Sequence, residues 1–121
     1  MMTEELTYFN SVSNDFPKVV LALNESVIDY NTNVLEKIST EPYTGKERTT
    51  YLYETYRFPK SFKYEDIVNG LIRLHYTLSE ELALQRQRDT KADEFATYSA
   101  KCDECKALAK EIAKAREEAK I

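Results

Sequence analysis

Residues 17–40 read PKVVLALNESVIDYNTNVLEKIST, and the reading of this stretch sets the fold class. Val20, Leu23, Val27, Val34 and Ile38 recur at helical spacing, with Val19, Ile28 and Leu35 widening the stripe. The pattern predicts a helix over about 17–39 that turns one face to a core. Pro17 suits the start of such a helix, where its missing N–H costs nothing, and Asn14 and Asp15 offer caps. Asn31-Thr32-Asn33 is the weak point.

Upstream, Thr3 followed by Glu4 and Glu5 resembles a helix start, and Leu6, Phe9, Val12 and Phe16 fall three or four apart. A helix is expected over about 3–15. Downstream, Pro42 and Gly45 end the pattern, and residues 40–61 form the one long non-helical connection. Beyond it there is no proline and a single glycine, Gly70. Ile67, Leu71, Leu74, Leu78 and Leu82 mark the apolar face of a helix over about 62–88. Phe95, Tyr98, Cys102, Cys105, Ala109 and Ile112 alternate spacings of three and four, the seam of a coiled coil, within a helix over about 91–119. Between them Gln85 to Glu94 is polar, and Thr90 with Asp93 resembles a capping box, so a turn is placed near Arg88 to Lys91. A continuous helix through this stretch would need a second copy to pack its far end.

These patterns predict an all-α single domain. It would be a three- or four-helix bundle or helical hairpin with a coiled-coil-like C-terminal helix and a Tyr-rich extended connection. At 121 residues with 42% apolar and 31% charged side chains, the chain can bury a core without disulfides or a structural metal. Met1 to Leu6 has two acids and no apolar run, and Val19 to Leu23 is far too short to cross a bilayer, so a soluble, cytoplasmic protein is expected.

Candidate chemistry is sparse. Cys102-Asp103-Glu104-Cys105 spans half a zinc site, but the chain has no second pair and one histidine, so both cysteines read as small apolar seam residues. His75 lies one position off a leucine stripe, with no nucleophile arranged beside it. Gly45 and Gly70 cannot make a phosphate-cradling loop. Lys106, Lys110 and Lys114 align on one helix face, where neighbouring acids make a solvated, salt-bridged surface the simpler reading. Neither an enzyme nor a cofactor or metal site is expected.

Charge is uneven. Residues 1–42 hold two Lys against seven acids, net −5; residues 43–64 hold five basic against two acidic side chains, net +3; the rest is net −2. The basic middle also holds seven of the fourteen aromatic residues. High strand propensity from Thr49 to Phe58 would send Tyr51, Tyr53, Thr55 and Arg57 to one side, and Leu52, Glu54, Tyr56 and Phe58 to the other. Arg48, Tyr51, Tyr53, Tyr56, Arg57, Phe58 and Lys60 are the candidate partner-binding residues, because rings give rigid contact area and guanidinium gives forked donors. Three readings stay open: packing over a bundle end, protein contact, and stacking on nucleic acid. The expected function is a non-enzymatic protein-interaction or assembly module that binds another protein or itself as a homo-oligomer. The alternative is a small nucleic-acid-binding protein using residues 43–64; no membrane partner is expected.

Overall fold

The computed structural model describes residues 5–120. The predicted helix start at Thr3 and Glu4 lies outside them. The elements are β1 (Thr7–Ser13), β2 (Val20–Ala22), β3 (Val27–Thr40), β4 (Glu47–Pro59), α1 (Tyr64–His75), α2 (Leu78–Arg86) and α3 (Ala92–Glu118). The all-α bundle is therefore corrected to a mixed fold, an antiparallel four-stranded sheet followed by three helices. Strands stand where helices are predicted over 3–15 and 17–39, and the long connection is mostly strand.

The physical reason lies in which faces the apolar residues reach. Val27, Val34 and Ile38 of the supposed stripe lie on one side of the sheet and Val20 on the other. Leu23 and Ile38 are exposed. Val, Ile, Tyr and Thr dominate Val27–Val34, and their branched or ring-bearing side chains fit a pleated sheet better than a helix.

The chain divides into two compact units, Thr7–Lys60 and residues 5–6 with 61–120. In the first, the strand order is β1-β4-β3-β2. β4 pairs with β1 from Thr7↔Arg57 to Ser13↔Tyr51, and with β3 from Val27↔Pro59 to Thr40↔Glu47. The register carries one irregularity, where Asn33 and Val34 on β3 stand against Tyr53 alone. Asn33 adopts φ 54°, the left-handed conformation in which asparagine is among the tolerated residues. Beyond the reach of β1, residues 37–40 and 47–50 continue as a two-stranded arm closed by a turn, with Gly45 at φ 67° and its N–H donating to the Glu41 carbonyl at 3.0 Å.

β1 and β2 occupy opposite edges, so the segment joining them crosses one face of the sheet. Phe16 stacks edge-on against Tyr51, with ring centroids 5.4 Å apart. Further along, the Lys18 carbonyl accepts from Asn31 Nδ2 at 2.9 Å and the Val19 carbonyl from the Asn31 N–H at 2.8 Å. The covered face holds all three buried polar residues described, Asp29, Asn31 and Thr55. Each has a partner there, as burial demands.

In the second unit, α1 buries Ile67, Val68, Leu71 and Ile72, and α3 buries Tyr98, Cys105, Ala109 and Ile112. These helices pack on each other, so four of the six residues of the seam predicted for a coiled coil are buried within one chain, while Phe95 and Cys102 are half-buried. α1 stops at Tyr76, and Thr77 caps α2, accepting from the Glu80 N–H at 3.1 Å while Glu80 accepts from the Thr77 N–H at 3.0 Å. The capping box predicted from Thr90 and Asp93 does not form. Lys91 is the N-cap of α3 without a side-chain cap, and the Thr90 hydroxyl donates to the Gln87 carbonyl. Gly70 lets Leu6 approach: a Cβ built there would stand 2.7 Å from the Leu6 Cβ.

Candidate interaction surface

Along β4, alternation divides the predicted site between the two faces of the sheet. On the covered face, Arg57 donates from Nε and Nη2 to the two oxygens of Asp29 at 2.8 and 3.0 Å. Its guanidinium also lies 4.8 Å from the centre of the Phe9 ring. The Asp29 bonds raise the arginine above its already high ordinary value. Thr55 stands between Ser11 and Asn31; its one proton goes to Asn31 Oδ1 at 2.8 Å, so Ser11 donates to it at 2.7 Å. Tyr51 stacks on Phe16, and Tyr53 lies opposite the bulge.

The other face is layered by level. At one level Tyr8, Tyr56 and Tyr30 stand abreast on β1, β4 and β3, with ring centroids 5.0 and 6.5 Å apart. At the next is Glu54, whose carboxylate accepts from the Tyr8 hydroxyl and from Asn33 Nδ2. Those two bonds hold Glu54 below the usual carboxylate range, and the same Tyr8 bond, with burial adding to it, pushes the phenol up to about 12. Then comes an apolar row, Val12 on β1, Leu52 on β4 and Leu35 on β3, paired side by side. These three are 63%, 38% and 66% exposed. Lys37, opposite Thr50, follows on the same face. An open groove of about 630 Å³ runs here between Asn10, Asn33, Leu35, Leu52 and Glu54.

Six of the seven predicted residues thus lie on one strand, but they do not share one surface. Arg48 is exposed on the arm opposite Ser39, and Lys60 follows β4 with its N–H donating to the Ser26 carbonyl at 2.7 Å. Phe58 is buried opposite Ile28, so it offers nothing to a partner. Tyr8, Val12, Asn33, Leu35, Leu52 and Glu54 were not among the predicted residues. The available signal was alternation in Thr7–Ser13, which sends Tyr8, Asn10 and Val12 to one side.

In the helical unit, Tyr98 donates to Glu81 and Arg73 pairs with the same carboxylate. Burial works to raise Glu81, but these bonds outweigh it and hold the carboxyl low. Burial lifts Cys105 above the ordinary thiol range, while Cys102 is half-buried. Leu74, Leu78 and Leu82 are exposed. His75 and the Lys106, Lys110 and Lys114 stripe are also exposed. Among the described residues, no group of three or more His, Cys, Asp or Glu side chains is placed to hold a metal, and no helix is long and apolar enough to cross a membrane. No known family model, curated protein or solved structure matches this chain.

Proposed function

We propose that this chain is a non-enzymatic, cytoplasmic protein-interaction or assembly module that engages its partner through the sheet face bearing Val12, Leu52 and Leu35. The observation that carries the reading is the row itself: three exposed aliphatic side chains paired side by side on three neighbouring strands of one sheet face. Contiguous apolar surface rimmed by polar groups, here Asn10, Asn33, Glu54 and Lys37, is the pattern of a contact site. The nucleic-acid alternative draws less support, because the forked donors of Arg57 are taken by Asp29 and Phe58 is buried.

The test compares the wild-type chain with a triple variant, Val12→Thr, Leu35→Thr and Leu52→Thr, which keeps strand propensity while removing the apolar row. Both are immobilised and offered the same extract of the source cells. A protein retained by the wild type and lost about tenfold by the variant, with unchanged circular dichroism, supports the reading. Equal retention by the two overturns it.

A further inference from the structure

We propose that the partner of this face is a second copy of the chain, with the two apolar rows packed on each other and Glu54 of each protomer meeting Lys37 of the other. This rests on the reading of the face as a contact site and goes on to name the occupant. Glu54 lies two residues from Leu52 along β4, and Lys37 two residues from Leu35 along β3, on the same face but on opposite sides of the row. The face therefore reads acid, apolar, base. A two-fold axis running along the row, between two facing sheets, keeps apolar on apolar and carries the acidic flank of one copy over the basic flank of the other.

That self-complementarity is what an isologous interface requires, and nothing in an unrelated partner would demand it. Facing sheets lie about 10 Å apart and neighbouring strands about 4.8 Å, so the backbones of Glu54 and of the opposing Lys37 would be separated by roughly 11 Å. Extended glutamate and lysine side chains together bridge that gap. Glu54 is held in place by Tyr8 and Asn33, so little side-chain freedom is lost when it meets a cation. The row is smaller than a standard interface, and the dimer is accordingly reversible and concentration-dependent.

Sedimentation equilibrium over micromolar to near-millimolar concentration reads the mass. The wild type is expected to move from one 14.1 kDa chain toward two. Lys37→Glu alone and Glu54→Lys alone each bring like charges together twice per dimer and weaken association about tenfold. An equimolar mixture of the two variants joins opposite charges at both contacts and regains the wild-type affinity. Recovery in the mixture also shows that the variants are folded. Failure of the mixture to associate better than either variant overturns the proposed geometry, as does a dimer unaffected by Leu35→Thr. A wild type that stays monomeric overturns the second copy as occupant. The contact-site reading is then still decided separately, by whether a different protein is retained in a row-dependent way.

Discussion

Thr55 is 2% exposed, and its hydroxyl is the joint between β1 and β3 across β4: it donates to Asn31 and accepts from Ser11. Thr55→Val keeps the shape and strand preference but strands both neighbours, and is expected to lower stability by about 1–3 kcal/mol in urea unfolding. Tyr8 and Glu54 make a second residue-scale pair whose consequences appear in titration. Glu54 is depressed from its ordinary 4.5, so the stabilisation it brings is present above that value and fades as pH falls through the lower folded value. Tyr8 is raised from 10.0 to about 12, so its share is complete below pH 10 and disappears as pH rises through about 12. Tyrosine ionisation followed by ultraviolet absorbance should show one ring with a midpoint about 12 that is absent in Tyr8→Phe. Glu54→Gln should bring that midpoint back toward 10 and flatten the stability loss below pH 4.5. In this pair the tyrosine and the carboxylate were visible as residues in the sequence, but not as partners, because 46 positions separate them.

At the scale of elements, Gly70 offers a discriminating substitution. In an exposed helix Gly→Ala gains about 1 kcal/mol, yet here the new methyl meets Leu6, and the net effect is expected to be a loss of about 1–3 kcal/mol. A rise in melting temperature for Gly70→Ala would show that the Leu6 contact does not constrain α1. The arm gives a prediction on dynamics. Residues 37–40 and 47–50 form a ribbon of two strands without a third, so their amides should exchange with solvent faster than those of residues 28–31 and 54–58, which lie in the four-stranded part. The strand β4 was legible because Thr49–Phe58 alternates large residues on both faces without interruption. The strand β3 was not, and the bulge is the reason. One extra residue at Asn33–Val34 moves the chain from the Ile28, Tyr30, Thr32 side of the count to Leu35 and Lys37, so period two is broken mid-strand. The surviving spacings imitate three and four. The helices α1 and α3 kept a regular apolar stripe, which is why the C-terminal half could be read as helical while the break at Tyr76–Thr77 could not be seen through the leucines on either side of it.

Across the whole molecule, the distribution of cysteines calls for a reactivity measurement. Cys102 is half-buried and Cys105 is buried with its thiol raised, so an exposed-thiol reagent should modify one site promptly and the second only on unfolding. Two fast sites would contradict the helical packing. The proposed contact surface resisted reading for a reason that operates only at this scale. Its row takes one residue from each of three strands, Val12, Leu35 and Leu52, and no window along the chain contains them together. The concentration of aromatics in residues 43–64 drew attention to β4, but to residues divided between its two faces. The strand order itself carries a last consequence. β1 and β2 each have one neighbour, and each neighbour belongs to the β3–β4 hairpin. During synthesis β1 leaves the ribosome 38 to 50 residues before the positions it pairs with, from Ser13↔Tyr51 to Thr7↔Arg57. β1 is therefore a latecomer to the sheet. Its ladder partner exists only once the chain has been made through β3 and the turn into β4.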